Sequence, residues 1–313
     1  MGINKNLTMF YRNRMSLPQK VARAIAVGLV EFIKTIASIG RVLLLSRFNL
    51  GLSKHRQQNN KAGVVFGNGP SLKKTLREDA DKLSSKQKIC VNSFVLSDDF
   101  ERFKPELYIF SDPYYYAKDN SLAMERELQK VIRTLKKKTR WKMTVFLPAM
   151  ARTWSPFLNL SRTNKNITLG YFNITTVSCF RRLRYYFYRK NLAMPPAQNV
   201  LVAALYLLLQ LGFKRIYLVG ADHDWFEKVA VGQDNRVYRK DPHFYDNAPR
   251  PLIPLYQDIE QTRTFTMAEM HLSAALAYQA YAELDDYAKS LGARIYNASG
   301  KSYIDAFERR RLT

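Results

Sequence analysis

The sequence predicts an α/β protein, a mostly parallel sheet with helices on both faces. Short apolar runs recur at 63–67, 88–92, 107–111, 143–147, 167–171, 215–219 and 293–297. Helical patterns fall near 72–83, 121–138, 178–190, 199–211 and 267–291, and strands alternating with helices pair in parallel. The first run ends in the turn Gly67-Asn68-Gly69-Pro70-Ser71. Its two glycines permit close backbone approach, and Pro70 suits the first turn of a helix. With 313 residues and 47% hydrophobic content, the chain can bury a sizeable core. A Rossmann-like sheet satisfies all three observations.

Residues 1–61 are expected to form a basic N-terminal arm, polar at 1–19 and rich in Asn, Gln, Lys and Ser at 49–61. Between these, 20–46 reads as an amphipathic helix. At about 100° per residue, Lys20, Arg23, Glu31, Lys34 and Arg41 share an arc of about 80°, and the rest of the circumference is mainly apolar. The longest stretch without a charge is too short to span a bilayer. A narrow basic stripe on a broad apolar helix suits the surface of an anionic membrane. The same pattern fits a helix packed on the protein's own core or on a second copy in a homo-oligomer. The opening residues lack the apolar core and small-residue cleavage site of a signal peptide.

The formal net charge is +24, and its distribution narrows its meaning. Residues 1–61 hold 11 Lys/Arg against one acid, and 121–190 hold 16 against two; the remaining residues balance. The sheet core is therefore neutral, and two segments carry the basic surface. Such patches suit nucleic acid, anionic lipid or an acidic glycan. Cys90 and Cys179 have no metal-ligand spacing and make no disulfide framework, which fits a reducing compartment.

The domain proper is expected over 62–313. In parallel sheets ligands bind beyond the carboxyl ends of strands, so residues following each apolar run are the first candidates. They are Gly67, Asn68, Gly69 and Ser71, then Asn92 and Ser93, then Asp112, and later Gly220 and Asp222. Small polar groups at several strand ends provide amides for base and ribose edges and hydroxyls for phosphate. Ser71 stands where free N–H groups at a helix start favour an anion. The nearly all-apolar stretch 199–211 reads as a buried helix. Asn199 is its N-cap or, with Gln198, a ligand contact.

Residues 225–265 have no strong period and contain Asp241-Pro242-His243-Phe244-Tyr245-Asp246. A long irregular stretch inside a compact domain points to a lid. Thr266 and Glu269 then form a capping box that opens the last long helix, with His271 in its first turns.

GNGPSL after the first run, CVNSF after the second, the Asp112-Pro113 pair after the third and LGFKRIYLVGAD later resemble the bacterial lipooligosaccharide sialyltransferases. Wider relatives sharing the GxGPSL start are flagellin-modifying glycosyltransferases and hydroxymethylpterin pyrophosphokinase-like proteins. The resemblance covers roughly 62–300. It implies an inverting, metal-independent glycosyltransferase with no cofactor, using a CMP-activated acidic sugar as donor and a surface glycan or glycolipid as acceptor. It implies that Asn68 and Asn92 bind the cytidine nucleotide, that Asp112 takes the place of an Asn that binds donor, and that Asp222 matches the Asp of the G-x-D motif. Where that family carries a leaving-phosphate Tyr, this chain has Asp224. The family's catalytic His, in a lid before a long helix, matches His243 or His271.

A histidine is suited to deprotonating the acceptor hydroxyl, and His243 is the first candidate, His271 the second. His223 is then a donor-site or orienting group. Tyr238 and Tyr245 can supply phosphate hydroxyls, and Arg236 and Arg239 positive charge. Asp222, His223, Asp224, His243 and Asp246 alternatively suit a divalent metal. Rival functions are a pterin pyrophosphokinase-like phosphotransferase and a nucleic-acid-binding protein, the latter suggested by the aromatic, basic run 181–190. That run reads more simply as an amphipathic helix, and no nucleic-acid fold signature accompanies it. The preferred expectation is a transferase of lipopolysaccharide or capsule biosynthesis, without nucleic-acid binding, peripheral on the cytoplasmic face of a bacterial inner membrane.

Overall fold

The computed structural model describes residues 16–56, 61–116, 121–240, 243–246, 251–257 and 262–313. Most of the polar stretch at 1–19, part of the linker at 49–61, and Asp241 and Pro242 of the expected lid lie outside the described residues. The strands are β1 (Gly63–Phe66), β2 (Gln87–Val91), β3 (Leu107–Ile109), β4 (Met143–Pro148), β5 (Ile167–Phe172), β6 (Arg215–Val219), β7 (Val229–Val231), β8 (Val237–Arg239), β9 (Ile253–Pro254), β10 (Arg294–Asn297) and β11 (Glu308–Arg309). The helices are α1 (Leu17–Leu45), α2 (Leu72–Glu78), α3 (Ala80–Ser84), α4 (Asp99–Phe103), α5 (Leu122–Lys138), α6 (Leu160–Thr163), α7 (Arg181–Arg189), α8 (Val200–Gln210) and α9 (Met267–Ser290).

Eight strands form one sheet in the order β11-β10-β6-β1-β2-β3-β4-β5, with every neighbouring pair parallel. This is a Rossmann-like α/β fold, and all seven apolar runs are strands in it. The chain builds outward from β1 to β5, then returns through α7 and α8 to set β6 on the other flank of β1. The strand order therefore reverses between β1 and β6, and that reversal opens a crevice at their carboxyl ends.

Burial follows the pleat. Val64 and Phe66 pack with Leu72, Cys90, Tyr108 and α5 on one face, while Val65, Ile89 and Val91 pack with α8 and α9 on the other. Every residue of α8 from Val200 to Leu209 is buried, each large side chain contributing about 2 kcal/mol relative to exposure. Asn199 caps this helix: its Oδ1 accepts from the N–H groups of Leu201 and Val202 at 3.0 and 3.3 Å. The Thr266–Glu269 capping box opens α9 as expected.

The helix expected at 72–83 breaks into two at Asp79. The expected irregular lid is partly ordered as β7, β8 and β9, which form a three-stranded antiparallel sheet. These strands have two or three residues each, too few for a period-two signal, and β9 reaches β8 only through tertiary pairing.

α1 begins at Leu17, with Pro18 in its first turn and Ser16 N–H donating to Gln19 Oε1 at 2.9 Å. It touches the domain through Thr35, Ser38 and Val42, its only buried residues. Ser38 Oγ donates to Ser178 O, Ser46 Oγ to Leu192 O and Asn173 Nδ2 to Arg47 O. The segment at 173–180 that leaves the carboxyl end of β5 thus carries the last third of α1. On α7, Tyr185, Phe187 and Tyr188 are buried, and Tyr186 is the aromatic of this helix that is exposed.

Candidate active site

The crevice holds a cavity of about 170 Å³. Asn68, Gly69, Asn92, Asn199, Gly220, Asp222, His223 and His243 line it, together with Asp224, Trp225 and Lys228. Residues from five separated stretches of chain therefore meet where the strand order reverses.

Interlocked backbone forms its floor. Gly67 N–H donates to Val219 O at 2.8 Å and Gly69 N–H to Gly220 O at 2.9 Å. A Cβ on Gly67 would stand 2.4 Å from Gly220 O. Gly220, at φ +64°, lies in the left-handed region that favours glycine. These glycines act through close packing of the two turns.

Three asparagines of the cavity lining each spend only half of the amide on the chain itself. Asn68 Nδ2 donates to Val91 O at 3.2 Å, and Asn92 Nδ2 donates to Asp112 Oδ2 at 3.0 Å. Each is thereby oriented with Oδ1 left over. Asn199 is oriented the other way, because its Oδ1 caps α8 and also accepts from Tyr281 Oη at 3.0 Å. Asn68 Oδ1, Asn92 Oδ1 and Asn199 Nδ2 are all buried without a hydrogen-bond partner. Leaving such groups unsatisfied is costly, and all three belong to residues that line this one cavity. Asn199 is both cap and cavity residue.

Ser71 and Asp222 are spent on each other. Ser71 N–H donates to Asp222 Oδ2 at 2.9 Å, and Ser71 Oγ donates to Asp222 Oδ1. The helix start assigned to donor phosphate is occupied by a carboxylate of the chain itself. Burial raises the pKa of Asp222, and the two bonds from Ser71 oppose that rise. Asp112 sits behind Asn92, outside the cavity lining, with its pKa also raised by burial.

His223 is held rigidly. It has φ +53°, its ring lies 4.2 Å from that of Trp225, and its Nε2 is 2.6 Å from Tyr281 Oη. Because Tyr281 gives its single hydroxyl proton to Asn199 Oδ1, His223 Nε2 carries the proton in that bond. Burial lowers its pKa to about 3, so it is neutral near pH 7 and serves to orient. Asp224 pairs with Lys228 at 2.6 Å and stands 3.6 Å from Lys301 Nζ. The side chains of Asp222, His223 and Asp224 thus go to different partners, and no group of three or more His, Cys, Asp or Glu among the described residues is arranged to hold a metal ion.

His243 reaches the cavity because Phe244 is anchored. Phe244 N–H donates to Asn68 O at 3.1 Å, and its buried ring stacks on Phe94 at 5.4 Å. Asp246 Oδ2 accepts from His243 N–H at 2.6 Å and lies 3.9 Å from His243 Nδ1. His271 is separate: with Gln198 it lines a neighbouring cavity. Ser93 turns away, donating to Glu127 Oε1 at 3.1 Å, and faces an outer cleft together with Tyr245. Tyr245 stacks on His243 at 5.1 Å. Tyr238 Oη donates to Asp234 at 3.0 Å and is absent from the central lining. Sequence reasoning passed over Lys228, the lysine of the central lining. The i, i+4 spacing of Asp224 and Lys228 was the available signal.

No protein-family model matches the chain, and no curated protein matches it. Among solved structures it is similar to one described as a MAf glycosyltransferase from Magnetospirillum magneticum AMB-1, with 13% identity and a TM-score of 0.45, over 81% of this chain. The match spans 34% of that structure's length. A likeness this distant carries no argument about activity.

Proposed function

We propose that the chain is an inverting glycosyltransferase that moves an acidic sugar, sialic acid or a relative, from a CMP-sugar to a glycan or lipid-linked acceptor. The observation that carries this reading is the set of three unpaired amide atoms at the switch point, two acceptors and one donor. A cytidine nucleotide supplies the complement, with N–H and O–H donors for Asn68 and Asn92 and a carbonyl or ring acceptor for Asn199. In the reaction the acceptor oxygen attacks the anomeric carbon and its proton passes to His243. The bond from that carbon to phosphate oxygen breaks, and CMP departs with the electron pair. Asp224 stands where the resembled family has the leaving-phosphate Tyr, and Lys228, its partner at 2.6 Å, is the cation that would reach that phosphate.

Titration with CMP, UDP and GDP by calorimetry tests the reading. CMP is expected to bind most tightly, and Asn68→Ala and Asn92→Ala each to weaken it about tenfold. A preference for UDP or GDP, or no nucleotide binding, overturns it.

The same proposal places the enzyme peripherally on the cytoplasmic face of a bacterial inner membrane, in lipopolysaccharide or capsule synthesis. Among the described residues no helix is long and apolar enough to cross a membrane. On α1, Ile25, Phe32, Ile33, Ile36, Leu43 and Leu44 are 55–84% exposed, on the side away from Thr35, Ser38 and Val42. Lys20, Arg23, Lys34 and Arg41 share a separate arc of the helix, where Lys34 pairs with Glu31 and Arg41 reaches Thr176 O, and Phe180 and Tyr186, also exposed, add apolar surface beside the arginines of α7. Such a surface suits anionic headgroups over acyl chains. Ile33→Asp with Ile36→Asp is expected to reduce flotation with anionic vesicles about tenfold or more. Unchanged flotation, or no flotation together with a dimer that the variant dissociates, would assign the face elsewhere.

A further inference from the structure

The second cavity, the one holding His271, has a volume of about 150 Å³. Trp225, Phe226, Phe265, Arg239, Gln198 and His271 are among its lining residues. Trp225 also lines the central cavity, so this residue borders both. α9 buries no residue before Ala277, so its first turns, with Met270, His271 and Ala274, border the space instead of packing into the core.

The lining matches one class of ligand. A pyranose ring has apolar C–H faces and a belt of hydroxyls. Indole and phenyl faces suit the first, and His, Arg and Gln at the margin suit the second. From this the geometry points to the acceptor subsite: the cavity takes the terminal sugar ring of the acceptor, stacked on Trp225 and Phe226, with His271 and Gln198 bonding its hydroxyls. This inference rests on the glycosyltransferase reading for the word acceptor. The sugar-binding site itself stands on the cavity alone. It also divides the two histidines. His243, on the donor side of Trp225, receives the proton, and His271, on the acceptor side, positions the ring.

The test is tryptophan fluorescence of the full chain during titration with methyl glycosides of galactose, glucose and N-acetylglucosamine. At least one is expected to give a saturable change that is lost in Trp225→Phe. Phe226→Ala and His271→Ala should each weaken the affinity about tenfold, with CMP affinity unchanged within twofold. Phe226 is 42% exposed, so its removal leaves folding intact. In turnover assays both variants raise acceptor KM more than they lower kcat. No saturable change with any glycoside overturns the subsite, even if CMP binds. A glycoside response that survives Phe226→Ala and His271→Ala undiminished also overturns it. A glycoside response without CMP binding keeps the sugar site and removes the transferase reading.

Discussion

Replacing His243 with alanine is expected to lower kcat by about a hundredfold or more, the usual contribution of a positioned general base. The structure makes this a test of chemistry rather than folding. The segment around His243 is fixed by its neighbours: Phe244 carries the backbone bond to Asn68 and the stacking on Phe94. Deleting the imidazole leaves that anchor in place. CMP affinity should stay within a few-fold of wild type, since the three asparagine amides proposed to meet the nucleotide do not depend on the ring. His271→Ala, by contrast, should act through acceptor KM. Turnover of His243→Ala within threefold of wild type would remove it from the reaction.

The second large effect is expected from Gly67→Ala. A Cβ there meets Gly220 O at 2.4 Å, Gly220 C at 2.9 Å and Val219 O at 3.3 Å. All three are backbone atoms at the carboxyl end of β6 and in the turn after it, so no side chain can swing aside. Relief requires β1 and β6 to separate at their carboxyl ends, which breaks the Gly67–Val219 and Gly69–Gly220 hydrogen bonds. Overpacking of this kind costs about 3 kcal/mol, and CMP binding should fall with it because the floor of the cavity is displaced. The control is Gly292→Ala. Gly292 has φ +63° and nothing within 4 Å of an added Cβ, so the cost is the left-handed strain alone, about 1–2 kcal/mol. Denaturant midpoints compare the two. Equal shifts would show that contact between the turns is not what requires Gly67.

Much of the fold was legible because it rests on local pattern. The seven apolar runs became strands since a parallel sheet covered on both faces demands continuous apolar stretches. The stretch after Asn199 could only be a buried helix, having one polar side chain, Gln210, among its eleven residues. β7, β8 and β9 escaped because their pairing is antiparallel and partly long-range, and strands of two or three residues carry no period.

The candidate site was legible in part. The strand-end rule found Asn68, Asn92 and Asp222, helix capping found Asn199, and the search for a base found His223 and His243; the structure brings these together. The strand ends also named Ser93 and the lid Tyr238 and Tyr245, which face elsewhere, because a strand end or a lid specifies a neighbourhood and not the direction of a side chain. Ser71 shows the limit most clearly. Its position at a helix start marks an anion site, but the anion is Asp222, 151 residues away in sequence.

By itself, then, the sequence determined the class of fold, the identity of the central strand and the chain segments that border the crevice, since periodicity and turn chemistry are local. Tertiary structure alone decided which amide atoms of Asn68, Asn92 and Asn199 remain unpaired, which histidine stands on each side of Trp225, and which face of α1 is left uncovered. Those outcomes depend on partners distant in the chain, and a hydrogen bond satisfied by such a partner is no longer available to a ligand.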